Sequence, residues 1–373
     1  MNEPQNLLNL REEIDFIDNK LWEMINQRAM LAQQLGLIKR KNAQSVVDKV
    51  REKQILDEIA RKNQDGVLSE QSIKAIFAEI IAACRALQLP CKVGFLGPLG
   101  TFSHGAALSY FGRHAILRPY DNLAAAFQDA QEQRLDYVLA PLENSTEGVV
   151  GQTLDLLSIH DLNVMNQFSV RIQQSLMART ENLENIDKVA SHPQALAQSR
   201  GWLSLNLPGV KLVPAASSGA AAAMAEDDIT MAIVGPSQLA EFYNLIILAE
   251  NIEDNKQNQT LFVVVGKGSN PPTENDRTML WFAAPHRSGS LYECLKPLAQ
   301  HKINLTRLHS RPSAHGPWQY LFFLEMEGHF ADENVRQAVA SLQEQAEKCV
   351  FIGSYEYESA SSAFKQANTN EKG

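Results

Sequence analysis

No stretch of eighteen consecutive apolar residues occurs in this 373-residue chain, so no membrane-spanning helix is read from it. The N-terminus, MNEPQNLLNLREE, lacks a basic segment followed by an apolar core and does not read as a secretory signal. Cysteine is scarce: Cys84, Cys91, Cys294 and Cys349 are scattered, with neither a metal-ligand spacing nor a disulfide framework. A reduced, cytoplasmic setting fits. No basic run is present and the net charge is -9, which argues against nucleic acid as a partner. No metal and no cofactor is called for by any motif. With 45% hydrophobic residues, the composition is that of an ordinary globular protein, and the length suggests two or three domains.

What is present begins with a long apolar seam: Leu10, Ile14, Ile17, Leu21, Met24, Arg28, Leu31, Leu35 and Ile38. Steps of four and three residues predict one helix packed along a single stripe. Arg28 stands where the pattern is apolar, and a buried guanidinium is costly unless an anion or partner meets it. Lys39, eleven residues on, returns to nearly the same face about 16 Å away. Two long side chains at that separation suit a small dianion. Arg11 is seventeen residues from Arg28, on another face and about 25 Å away, so a shared ligand requires it to come from a second copy of the chain. A helix of this length also lacks a partner able to cover it within its own short segment. Both points predict an intertwined homodimer or higher homo-oligomer. A second helix is expected from about Val47 to Arg61, with Asp48, Arg51 and Glu52 on one face. A third, Ser69 to Leu89, carries Cys84 and Gln88 one turn apart.

These first ninety residues resemble the helical chorismate mutase domain, residue by residue: Arg11, Arg28, Lys39, Asp48, Arg51, Glu52 and Gln88. Cys84 departs from the serine of the best-known members. The resemblance implies a pericyclic rearrangement of chorismate to prephenate. It needs no nucleophile, metal or proton donor, only a folded dicarboxylate and stabilised charge on the ether oxygen. Arg11, Arg28 and Arg51 would clamp carboxylates, Lys39 and Gln88 would donate to the ether oxygen, and Glu52 would hold the ring hydroxyl. Residues 1–90 carry 13 Lys+Arg and 13 Asp+Glu, so such a site is positive by placement and not by bulk charge.

From Lys92 the pattern changes. A strand runs into Gly97-Pro-Leu-Gly-Thr-Phe-Ser103 and a helix is expected from about His104, an anion-receptive turn with no Walker lysine. As a bare turn it would be capped by Ser103. Strands alternate with helices, and polar residues gather at strand ends, predicting an α/β architecture with a cleft between two lobes. The segment 92–268 resembles prephenate dehydratase through GPLGTFS, PLENSTEG, SHPQALAQ and NQTLF. That family is two-lobed and periplasmic-binding-like. It removes carboxylate and hydroxide from prephenate to give phenylpyruvate. The resemblance assigns the critical donor to Thr260. It places Thr101, Ser103, Glu143, Asn144, Ser145, Ser191, His192, Gln198 and Ser217 around the substrate. Where the family usually reads Thr-Arg-Phe, this chain has Thr260-Leu261-Phe262. That leaves open a mutase with an impaired dehydratase. A two-lobed segment taken alone also suits an amino-acid-responsive binding protein.

Residues 277–357 read strand, helix, strand, strand, helix, strand, the ferredoxin-like order. They resemble an ACT regulatory domain, which in this family binds phenylalanine. The matching residues are Gly289, Leu291, Asn304, Leu305, His309, Ser310 and Arg311. His309 replaces the usual glutamate and would titrate near neutral pH. Residues 358–373 form a polar tail expected to be disordered. The whole is expected to be multidomain: all-α, then α/β, then α+β. The resemblance implies an isomerase joined to a carbon–oxygen lyase of phenylalanine biosynthesis.

Overall fold

The computed structural model describes residues 5–41, 49–88, 91–112, 115–312 and 320–357, and the polar tail from 358 lies outside them. The chain divides into two compact units. One is formed mainly by the N-terminal helices and the other by the chain from Lys92 onward.

In the first unit, α1 (Gln5–Lys41) is the helix the seam predicted, α2 (Lys49–Lys62) and α3 (Glu70–Gln88) are the second and third expected helices, and α3 packs against both others. At about 1.5 Å per residue, α1 is roughly 55 Å long and α3 roughly 28 Å, so α3 cannot cover α1 end to end. The seam is accordingly bare in a single chain: Leu21 is 54% and Leu31 65% exposed. Among the described residues no helix is long and apolar enough to cross a membrane.

The second unit begins with β1 (Lys92–Leu96), α4 (Phe102–Phe111), β2 (Ile116–Tyr120), α5 (Leu123–Gln131), β3 (Tyr137–Asn144), β4 (Gly148–Val149), α6 (Gly151–Ile159) and β5 (Asn163–Arg171). It continues with β6 (Ser175–Ala178), β7 (Lys188–Ser191), α7 (Pro193–Gln198), α8 (Arg200–Asn206), β8 (Lys211–Pro214), α9 (Ser218–Ala225), β9 (Met231–Gly235), α10 (Leu239–Tyr243), β10 (Ile246–Ala249) and β11 (Gln259–Gly266). These strands make two sheets, ordered β2-β1-β3-β11-β5 and β10-β6-β9-β7-β8, with β4 beside β3. The chain passes between them twice, at 172–174 and 250–258. The crossings are tied by Ile172 N–H to Asn258 O (2.9 Å) and Ile252 N–H to Gln174 O (2.8 Å). A two-lobed body with two neighbouring connections results, as the alternation of strands and helices predicted.

The last segment is β12 (Asp276–Ala283), α11 (Ser290–Gln300), β13 (Leu305–Pro312), β14 (Tyr320–Glu327), α12 (Glu333–Gln345) and β15 (Lys348–Glu356). Its antiparallel sheet runs β13-β14-β12-β15. Side chains alternate across a strand. Leu280 and Phe282 of β12 join the core under α11 and α12. Met279 and Trp281 join Leu142, Leu154, Val164 and Val263 in the core of the first lobe. Because β12 is covered on both faces, it reads as a nearly unbroken apolar run. This shared core is why the segments after Lys92 form one compact unit and not two.

Candidate active site

In the first unit, Arg28 is half-buried and its Nη1 donates to Ile80 O on α3 at 3.5 Å. Cys84 lies on α3 and is buried, 3% exposed. Glu52 is paired with Arg85 Nη1 at 2.5 Å, so the carboxylate expected at a ring hydroxyl already holds a guanidinium. Nothing in the sequence pattern singled out Arg85. Arg51 lies one residue before Glu52, its Nη1 3.5 Å from Gln54 Oε1, and Arg11 sits on the exposed N-terminal half of α1. Asp48 and the side chains of Lys39 and Gln88 fall outside the described residues.

In the second unit, Thr101, not Ser103, caps α4: its Oγ1 accepts from His104 N–H at 3.3 Å and donates to Pro98 O at 2.9 Å. Ser103 lies inside the helix and is buried. His104 sits 5.2 Å from the Phe95 ring and 5.2 Å from the Phe242 ring, and its Nδ1 accepts the Gly100 N–H at 3.0 Å. Burial pushes its pKa below the ordinary value. The neutral form is therefore the native one. Unfolded histidine titrates near 6.5, so this contribution to stability is complete above that pH and is lost as the pH falls through it toward the lower folded value. The expected slope is at most ~1.4 kcal/mol per pH unit for each such histidine. Melting temperatures recorded from pH 7.5 to 5 should show this acid limb. His104→Gln should make it shallower; an unchanged limb would remove His104 from the account.

Asn144 organises the end of β3. Its Oδ1 accepts two backbone N–H groups, Thr146 at 2.9 Å and Glu147 at 3.1 Å. Backbone N–H can only donate, so the amide orientation is settled and Nδ2 must face the other way. Nδ2 reaches Thr260 Oγ1 at 2.9 Å and Asn258 Oδ1 at 3.1 Å. Asn258 Oδ1 also accepts from Ser145 Oγ (3.3 Å) and Thr146 Oγ1 (3.2 Å). Asn258 and Thr146 thus organise the site, and within the NQTLF and PLENSTEG motifs nothing local marks either of them for that role. Thr260 and Asn144 are brought together because their strands pair in register.

Glu143 is not in this group. Neighbouring strand residues point to opposite faces, and Glu143 pairs with Arg307 Nε at 3.1 Å. On the second lobe, Ser191 Oγ donates to Val234 O (2.5 Å) and lies 3.2 Å from Ser218 Oγ. His192 caps α7 through Nδ1, and Ser217 caps α9 by accepting Ala220 N–H at 3.0 Å. The first glycine-rich loop rests against α9: a Cβ at Gly219 would stand 2.8 Å from Pro98 Cγ. Gln198 is turned to the crossings, where its Oε1 accepts from Gln174 Nε2 at 3.1 Å and its backbone O from Asp254 N–H at 2.7 Å. The Gln174 N–H in turn meets the buried Glu253 carboxylate at 2.8 Å.

The residues expected on the C-terminal segment separate. Gly289 (φ 82°) precedes α11, Leu291 and Leu305 pack into the helix-side core, and Asn304 donates to Glu327 at 3.0 Å. A register shift between Leu305 and Arg307 turns the rest of β13, so Arg307, His309 and Arg311 face inward while Ser310 is exposed. Arg311 grips Asp155 of α6 with two bonds, 2.9 and 2.6 Å. Burial lowers the His309 pKa, against the attraction of Glu143 and Glu325. Its Nε2 is buried without a partner. Among the described residues, no group of three His, Cys, Asp or Glu is gathered as a metal would require.

A helical unit bearing a half-buried arginine, followed by a two-lobed α/β body with hydroxyl and amide donors at strand ends, suits an enzyme that handles small anions. Family models for chorismate mutase type II and prephenate dehydratase match residues 10–89 and 93–270. A bifunctional chorismate mutase/prephenate dehydratase of Aquifex aeolicus is 38% identical over 354 residues, which are 94% of this chain and 98% of that one. Among solved structures, prephenate dehydratase from Arthrobacter aurescens in complex with L-Phe is 30% identical. It covers 76% of this chain and 100% of its own, with a TM-score of 0.67. A protein described as a quorum-quenching acylase is 25% identical, covering 72% of this chain and 98% of its own, also at 0.67. The chain belongs to the bifunctional chorismate mutase/prephenate dehydratase family.

Proposed function

We propose that this protein rearranges chorismate to prephenate and then converts prephenate to phenylpyruvate, under feedback by phenylalanine. The mutase spans residues 1–91, a periplasmic-binding-like dehydratase 92–268, and an ACT regulatory domain 277–357. In the mutase, Arg28 and Arg51, with Arg11 of a second copy, hold the two carboxylates, and Lys39 and Gln88 meet the ether oxygen. The mutase requires a homodimer. In the dehydratase, aromatisation supplies the driving force: the C–C bond to the ring carboxylate breaks, CO2 departs, and its electron pair expels the ring hydroxyl. Thr260 donates a proton so that the hydroxyl leaves as water, and solvent restores that proton. Both substrates are small anions, both reactions proceed without a cofactor, and the setting is the cytoplasm.

The observation that carries the second reaction is the fixed amide of Asn144. It occupies a lone pair of Thr260 Oγ1 and leaves the hydroxyl hydrogen to donate elsewhere. The test is turnover by the purified full-length chain. Chorismate should be consumed, prephenate should yield phenylpyruvate, and millimolar phenylalanine should suppress the second reaction. Chorismate consumption with no phenylpyruvate would sink the dehydratase half. Phenylpyruvate formation indifferent to phenylalanine would sink the regulation.

A further inference from the structure

Glu143 is an awkward neighbour for a dianion. It adjoins Asn144, and adjacent Cα atoms are about 3.8 Å apart. An uncompensated carboxylate there would stand within about 10 Å of an anion held by Asn144 and Thr260, close enough to repel it. Directly opposed residues of an antiparallel pair share a face, and Leu261 of β11 is opposed to Glu143. Leu261 offers no charge and packs into the core shared with Met279 and Trp281. The answering cation comes from 164 residues away in sequence, Arg307 of β13.

Arg307 is itself held. Its Nη1 donates to Glu325 Oε2 (2.9 Å) and Gln167 Oε1 (3.2 Å), which aims Nε at Glu143. Glu325 is fully buried and also accepts from Arg277 (2.6 Å), Thr306 Oγ1 (2.6 Å) and Tyr355 Oη (2.8 Å). Two guanidinium groups thus face two carboxylates, and the one at the rim belongs to the strand leading into the substrate loop.

We propose that the C-terminal module supplies Arg307 as a positioning residue for the dehydratase, cancelling the charge of Glu143, which the neutral Leu261 opposite it cannot do. The inference rests on the dehydratase reading above. It makes β13 a physical link between the regulatory module and the substrate loop, because a displacement of β13 would release Glu143.

The test uses the full-length enzyme. Arg307→Gln keeps a donor for Glu325, whose three other partners remain, so the fold should hold. The KM for prephenate should rise about tenfold while kcat stays within about threefold, the pattern of lost ground-state binding. The mutase rate should not change. Adding Leu261→Arg puts a guanidinium opposite Glu143 from the neighbouring strand and should return KM to the wild-type range. An unmoved KM in Arg307→Gln, or a KM that stays high in the double variant, overturns the inference. If Arg307→Gln does not accumulate folded, the double variant decides alone: folded with normal KM it supports the inference, while raised KM or failure to fold overturns it. Wild-type enzyme with no prephenate turnover overturns the dehydratase reading instead.

Discussion

Thr260→Val is expected to lower kcat for prephenate by roughly 10²–10⁴, the span attributed to one positioned proton donor, with KM and the chorismate mutase rate little changed. Valine keeps the branched shape and removes only the hydroxyl. The loss of that oxygen does not orphan Asn144, whose Nδ2 retains Asn258 Oδ1 at 3.1 Å and Gln259 O at 3.3 Å. The loop held by Asn144 Oδ1 on Thr146 and Glu147 also stays, because neither bond involves Thr260. The substitution therefore isolates the proton. Thr260→Ser, which keeps it, should retain most of the rate. Phenylpyruvate formation followed by absorbance measures both variants. A kcat for Thr260→Val within about threefold of wild type would remove Thr260 from the chemistry.

Helix α1 was legible because a four-three seam over nine positions has one periodic reading, and the C-terminal segment because its order of strands and helices was written in alternating patterns. Thr260 and Asn144 were legible only through motifs; what the fold adds is their pairing in register. Glu143 shows where linear reading stops. Motif proximity grouped it with Asn144, although strand alternation sends the two to opposite faces, a signal present in the sequence once β3 is recognised as a strand to its end. Its partner could not be found that way. The Arg307–Glu143 pair spans 164 residues and two sheets, and no local periodicity encodes it. Arg85 beside Glu52 and Gln174 beside Gln198 are of the same kind: polar pairs created by packing. The shared core beneath β12 had a readable trace, since the run Thr278-Met-Leu-Trp-Phe-Ala283 is apolar on both alternations, as a strand covered on both faces must be.

Leu21→Glu is the second substitution with a drastic expected outcome: a monomeric protein with mutase turnover reduced at least about a hundredfold and dehydratase turnover within about threefold of wild type. Leu21 lies mid-seam, and its neighbours Ile17 and Met24 are 55% and 63% exposed in a single chain. Two copies of the seam facing each other would cover it, the isologous arrangement in which one substitution enters the interface twice. Each glutamate would then have to shed its hydration against apolar side chains with no cation opposite. Loss of the partner also removes its Arg11, which the same α1 cannot bring to Arg28. Sedimentation or light scattering reports the mass, and the two assays report the activities. Arg28→Ala separates the two effects: it should leave the dimer intact and still lose the mutase. A Leu21→Glu protein that remains dimeric, or a monomer that keeps full mutase turnover, would mean that the seam is covered by something other than a second α1, or that Arg11 takes no part in the site.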